Sequence, residues 1–137
     1  MKKSRKFKNR FEAYNTAKRY HFCVDCKHSQ TLNYVTCPAC GSKNREYFKS
    51  EKERNRAATL LFLQERGKIS CLRLHPRFDL KVNSKTIGVY EADFDYKDKQ
   101  GRYIVEDVKP DNGWIDPLAK WKIDHFQAQY CVTVNLT

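Results

Sequence analysis

The apolar positions along this chain change period several times, and each change marks an element. Phe7, Phe11 and Tyr14 recur at i, i+4, i+7, the spacing of one helical face, which predicts an amphipathic helix within residues 1–20. Arg45-Glu-Tyr-Phe48 reads as a short strand. Ser50 with Glu53 fits a capping box, in which hydroxyl and carboxylate satisfy each other's orphan N–H groups. The helix it opens runs to about Arg66, with Ala57, Leu60, Leu61 and Leu63 or Gln64 on or near the inner stripe and Gly67 as its stop. Three segments rich in β-branched and aromatic residues follow as strands: Cys71–Leu74, Arg77–Val82 and Thr86–Tyr96. Asp98-Lys-Gln-Gly101 is a hairpin turn into a strand over Arg102–Lys109. Asp116-Pro117 supplies an N-cap and first helical residue for a helix to about Tyr130, and Val132–Leu136 closes as a strand. Helix, three or four strands, helix, strand predicts an α/β domain with a mixed sheet.

Composition narrows the class. A chain of 137 residues, 40% hydrophobic and 13% aromatic with five Gly and four Pro, can bury a modest core and is not a disordered polymer. Its longest apolar run, Ala57–Leu63, falls far short of the roughly 20 residues of a membrane span, and no apolar stretch follows the basic N-terminus as in a secretory signal. The expectation is a soluble, cytoplasmic protein with no membrane partner.

The charge is lopsided. Residues 1–56 hold 15 Lys+Arg against 5 Asp+Glu, whereas residues 57–137 hold 12 against 11. A front end so basic is suited to a polyanion. Lys3, Arg5, Lys6, Lys8 and Arg10 interleave with the aromatic stripe and make DNA phosphates the expected target, with binding that weakens steeply in salt. Lys27, Lys43 and Arg45 extend the basic set.

Four of the six cysteines form Cys23-Val-Asp-Cys26 and Cys37-Pro-Ala-Cys40-Gly41. Each Cys-x-x-Cys turn puts two thiolates on one side of a tight loop, and two such turns complete a tetrahedral zinc site over residues 21–45, with a small hairpin at Thr31–Thr36 between them. Four thiolates leave no place for a catalytic water, so this Zn²⁺ is expected to be structural. Cys71 and Cys131 stand in apolar, strand-like contexts and are expected to be buried thiols.

In Tyr103-Ile-Val-Glu-Asp-Val-Lys109, alternation puts Asp107 and Lys109 on one face with Tyr103 and Val105, and Glu106 on the other. In the preceding strand Tyr90, Ala92, Phe94 and Tyr96 are expected to face one way and Glu91, Asp93 and Asp95 the other. The turn between the strands brings Asp93 near the level of Asp107. Two carboxylates and an ammonium converging on a sheet suit hard-metal chemistry, with helical Glu53 as a third carboxylate.

Glu53 on a helix, then Ala92-Asp93-Phe94, then Glu106-Asp107-Val108-Lys109 resembles the PD-(D/E)XK nuclease superfamily. The longer series Phe48–Glu53, Leu74-His-Pro-Arg-Phe-Asp-Leu80, Tyr90–Phe94 and Val105–Lys109 is similar to a small phage nuclease family and to phage Holliday-junction-resolving endonucleases. The resemblance covers roughly residues 46–134. Ala92 stands for the proline of the superfamily name, and Pro110 for the usual glycine after the lysine.

The resemblance implies a restriction-endonuclease-like core over residues 46–137, a Mg²⁺ (or Mn²⁺) ion on Asp93, Asp107 and Glu53, and Lys109 assisting the attacking water. It also implies approach of Lys120 and Lys122 to the scissile phosphate, and a structure-selective cut in duplex or branched DNA by a possible homodimer. A rival expectation is a zinc-ribbon regulator that binds DNA or RNA polymerase and whose nuclease-like body is inert.

Overall fold

The computed structural model describes residues 20–30 and 36–137. Residues 1–19 of the expected helix, with Lys3, Arg5, Lys6, Lys8 and Arg10, and most of the hairpin at Thr31–Thr36 lie outside the described residues, and Tyr20 is in a strand. The chain divides into two compact units, residues 1–54 and 55–137.

The first unit carries β1 (Tyr20–Cys23), β2 (Ser29–Gln30) and β3 (Arg45–Phe48), an antiparallel sheet in the order β2-β1-β3. Cys23 lies opposite Arg45 and Tyr20 opposite Phe48. Among its described residues Phe22, Phe48, His21, Cys23 and Cys37 are buried.

The division between the units falls inside α1 (Glu51–Glu65), which begins one residue after Ser50 as the cap requires. The Glu53 N–H donates to Ser50 Oγ at 3.1 Å, while Glu53 Oε2 accepts the N–H of Lys49 at 3.3 Å. The carboxylate therefore reaches one residue further back than a capping box predicts. Ala57 and Leu60 are fully buried on the expected stripe, and Gly67 at φ +67° ends the helix in the left-handed region open to glycine.

In the second unit β4 (Ser70–Leu74), β7 (Phe94–Lys97), β8 (Tyr103–Asp107) and β9 (Val134–Leu136) form a sheet in the order β4-β7-β8-β9. Neighbours in it are antiparallel except β8 and β9, which are parallel and joined through α2 (Pro117–Tyr130), the crossover that parallel strands need. A separate hairpin pairs β5 (Arg77–Val82) with β6 (Lys85–Glu91). Its tip, Asn83-Ser84, has two positive φ values, 48° and 66°, as a two-residue turn matched to the strand twist demands.

Helix α2 starts as expected: Asp116 accepts the Ala119 N–H at 3.1 Å and Pro117 takes the first position. It covers the hairpin. Gln129 Nε2 and the Tyr130 hydroxyl donate to the Asp79 carbonyl at 3.0 and 2.9 Å, and the Lys81 N–H donates to Gln129 Oε1 at 2.7 Å. Leu80, Tyr90, Ala92, Val105, Ile123, Phe126 and Val134 form the core beneath.

Three expectations change. The strand expected at Thr86–Tyr96 is two strands, because the chain leaves one sheet for another at Ala92-Asp93. There the Ala92 N–H donates to the Pro76 carbonyl at 3.0 Å, and the Asp93 N–H to the Glu106 carbonyl at 3.2 Å. Alternation breaks at the same point: Tyr90 and Ala92 join Val105 in the core, while Phe94 sits opposite Glu106 on the other face. Cys71 and Cys131 are exposed rather than buried. Both hold left-handed backbone at φ 55°, Cys71 where the β4–β7 register shifts and Cys131 as the C-cap of α2, and such irregular positions turn a side chain out of the periodic pattern. The result is a mixed α/β molecule, and no helix among its described residues is long and apolar enough to cross a membrane.

Candidate metal and catalytic site

Two knuckles build the cysteine centre. In the first, the Cys23 N–H donates to the His28 carbonyl and the Lys27 N–H to the Cys23 carbonyl, both at 2.9 Å. In the second, the Cys37 N–H donates to the Ser42 carbonyl at 2.7 Å and the Gly41 N–H to the Cys37 carbonyl at 2.8 Å. Gly41 takes φ +74°, the left-handed turn that made it the natural residue after Cys40.

The sulfurs of Cys23, Cys26, Cys37 and Cys40 all lie within 4.8 Å of one another. The Cys23–Cys40 and Cys26–Cys37 separations are 3.7 and 3.5 Å. A tetrahedron with zinc–sulfur bonds of ~2.3 Å has edges of about 3.8 Å, so the group could hold a zinc ion.

Electrostatics point the same way. The Cys26 N–H lowers the Cys23 thiol to about 7. The Ser42 N–H acts to lower Cys40 as well, but the neighbouring Cys26 sulfur and burial drive that thiol up to about 12. One thiolate forms readily and makes the next costly, a conflict that a divalent cation removes.

Asp25, which the sequence did not single out, ties the knuckles together. Its carboxylate accepts from the Ser42 hydroxyl and, at 3.0 Å, from Asn44 Nδ2, and these bonds hold its pKa below the ordinary value. Lys27 Nζ donates to the Val24 carbonyl at 2.7 Å; Lys43 is exposed and Arg45 half-buried on β3.

The second site lies where β7 and β8 meet. Phe94 pairs with Glu106 at the end of the ladder, where Asp93 precedes the one strand and Asp107 ends the other. Asp93 Oδ2 accepts the Val108 N–H at 2.6 Å. Asp107 Oδ2 accepts the Tyr90 hydroxyl at 3.2 Å and faces Lys109 Nζ at 3.0 Å. Lys109 and Asp107 therefore meet directly, while Asp93 bonds the backbone of Val108, the residue between them. No protein-family model matches this chain, and no curated protein matches it.

Tyr90 was not foreseen in this group, because strict alternation assigned it to the face of Phe94. Burial, and then the carboxylates of Asp107 and Asp93, push its phenol pKa far up, so it remains a hydrogen-bond donor at any ordinary pH. Glu106 points away. Its carboxylate is 2% exposed, takes a two-pronged bond from Arg56 (Nε 2.8 Å, Nη2 2.6 Å) and accepts the Tyr96 hydroxyl at 2.5 Å.

Asp95, also buried, is held by Arg73 and by the Tyr103 hydroxyl at 2.6 Å. Glu53 is 5% exposed in the first turn of α1. On α2, Lys120 forms an exposed i,i+4 pair with Asp124 at 2.7 Å, which offsets its charge, and Lys122 is half-buried.

One more residue joins the site. His75, in the two-residue link between β4 and β5, offers a ring nitrogen within 4.8 Å of an Asp93 carboxylate oxygen. The link has no periodicity, and the contact is made by tertiary structure alone.

Proposed function

We propose that this chain is a metal-dependent endodeoxyribonuclease of the PD-(D/E)XK type, a phosphodiester hydrolase built on a restriction-endonuclease-like core. The observation that carries the reading is the Lys109–Asp107 contact of 3.0 Å, with Asp93 bonded to the Val108 N–H between them in sequence. The resemblance assigns Asp93, Asp107 and Lys109 to one centre, and two carboxylates with an ammonium are the donor set that phosphoryl chemistry uses.

Carboxylate oxygens fit Mg²⁺ or Mn²⁺; Asp93 and Asp107 would hold the ion, and the resemblance names Glu53 as a further carboxylate. A divalent ion bound there supplies Lewis-acid activation of phosphate and water. The remaining work belongs to the side chains. Tyr90 and Lys109 fix the orientation of the Asp107 carboxylate, and the Lys109 ammonium offsets negative charge that builds on the phosphate during in-line attack. Lys122, with Lys120 once its pair with Asp124 opens, would approach the flanking phosphates. Basic residues 3–10, with Lys27, Lys43 and Arg45, would grip DNA by its backbone, which favours shape over sequence. Branched or duplex DNA is the substrate of this reading, and a homodimer would cut two strands.

A regulator that binds DNA or RNA polymerase through the cysteine module is the second reading. It is favoured by the built four-cysteine group and by the concentration of positive charge in residues 1–56. One assay separates the two: wild type, Asp107→Ala and Lys109→Ala incubated with four-way-junction and linear DNA in Mg²⁺ or Mn²⁺. Cutting by wild type alone supports the nuclease. Binding without cutting by wild type supports the regulator, and equal cutting by all three rejects these residues.

A further inference from the structure

We infer that His75 is a further ligand for the cation of the Asp93 centre, and that its imidazole makes the site prefer Mn²⁺ to Mg²⁺. This rests on the reading of Asp93 as a cation ligand.

The link His75-Pro76 is fastened to the start of β7 on both sides. The His75 N–H donates to the Asp93 carbonyl at 2.9 Å, and the Pro76 carbonyl accepts the Ala92 N–H at 3.0 Å. His75 holds a left-handed backbone, φ 52°, an uncommon conformation for a residue other than glycine. That conformation and those two bonds register the histidine on Asp93. The ring nitrogen and the Asp93 oxygen lie within 4.8 Å. Ligands of one cation with bonds of ~2.1 Å stand about 3 Å apart when adjacent and about 4.2 Å when opposite, so little movement brings both onto one ion.

Selectivity follows from donor type. Mg²⁺ takes oxygen donors and keeps its waters, and an imidazole adds little to its binding. Mn²⁺ lies in the series of first-row metals for which nitrogen donors raise affinity, although it also accepts carboxylates. A centre of carboxylates alone would discriminate poorly between the two. One imidazole biases it to Mn²⁺.

The experiment measures metal binding to the full chain, zinc-loaded and without DNA, by calorimetry with Mn²⁺ or Mg²⁺. Three proteins are compared: wild type, His75→Ala and His75→Asn. Asparagine tolerates the left-handed backbone and offers oxygen in place of nitrogen, which keeps the test valid where alanine disturbs the link. Wild type is expected to bind Mn²⁺ about tenfold more tightly than Mg²⁺. Both variants are expected to lose that preference while their Mg²⁺ affinity changes less than about threefold.

Equal affinity of wild type for the two ions, or an unchanged ratio in His75→Asn, overturns the inference. Loss of the ratio in His75→Asn without DNA cleavage by wild type would uphold His75 as a ligand and reject the nuclease. Cleavage by wild type with no Mn²⁺ preference would do the reverse.

Discussion

Glu106 and Asp107 are adjacent acids with opposite assignments, and exchanging each for its amide separates them. Glu106→Gln keeps the side-chain shape and an oxygen for the Tyr96 hydroxyl, but removes the charge that two Arg56 nitrogens bind at 2.8 and 2.6 Å. Removing one member of a fully buried pair costs roughly 3–5 kcal/mol. The Arg56 side chain is 32% exposed, so water screens part of that loss, and about 2–3 kcal/mol is expected. For a chain of this length that lowers the melting temperature by about 6–10 °C.

Asp107→Asn differs in both readouts. Asparagine still accepts the Tyr90 hydroxyl, and the change relieves repulsion with Asp93, which offsets the lost attraction to Lys109. Its stability change is expected to stay within ~1 kcal/mol, while cleavage per folded molecule falls at least about 100-fold. Thermal unfolding followed by circular dichroism and junction cleavage normalised to folded protein make the two measurements. Cleavage abolished in Glu106→Gln at an unchanged melting temperature, or wild-type cutting by Asp107→Asn, would refute the assignment of faces.

Stability should also depend on pH through the same acid. Burial acts to raise the Glu106 pKa, but the Arg56 guanidinium and the Tyr96 hydroxyl outweigh it and hold the value below normal. A depressed folded pKa means that this contribution is complete above the unfolded value of ~4.3 and is lost as pH falls through the folded one, so acid titration of Glu106→Gln should show a shallower decline than wild type. Zinc analysis should find one ion per chain. A strong chelator, or Cys37→Ser, should unfold the cysteine module, since ligation contributes on the order of 10 kcal/mol in small zinc peptides; an unchanged far-ultraviolet spectrum after metal loss would contradict this. Asp25→Ala should weaken zinc binding by about tenfold in competition titration, because both knuckles lose their shared carboxylate. Asp116→Ala should cost about 1 kcal/mol of stability and leave junction cleavage per folded molecule unchanged.

What could be read from the chain was whatever short-range chemistry determines. The paired Cys-x-x-Cys turns, the Asp116-Pro117 helix start and the Asp98–Gly101 turn are local, and each stands where spacing put it; the Gly101 N–H donates to the Asp98 carbonyl at 2.9 Å. Asp25 and His75 were invisible for the opposite reason. Their partners, Ser42 and Asn44 for one and Asp93 for the other, lie 17, 19 and 18 positions away, and no period links them. The exposed cysteines were misread because strand-like neighbours say nothing about a register shift or a left-handed cap.

The break at Ala92-Asp93 connects these successes and failures. An unbroken strand would carry Tyr90 on the face of Phe94 and Tyr96, where Glu106 already accepts from Tyr96 and Arg56. Passing from the β5 hairpin to the β7 sheet turns the chain over, so Tyr90 reaches Asp107 instead while Phe94 stays opposite Glu106. Asp93 stands at the pivot, with its N–H on Glu106, its carbonyl on His75 and its carboxylate on Val108. Asp93 and Asp107 flank the last pair of the β7–β8 ladder, Phe94 with Glu106. Alternation misplaced Tyr90 because that residue lies upstream of the break. The change of sheet at Ala92-Asp93 is therefore what turns the Tyr90 phenol to Asp107 while the Asp93 backbone stays fastened to His75.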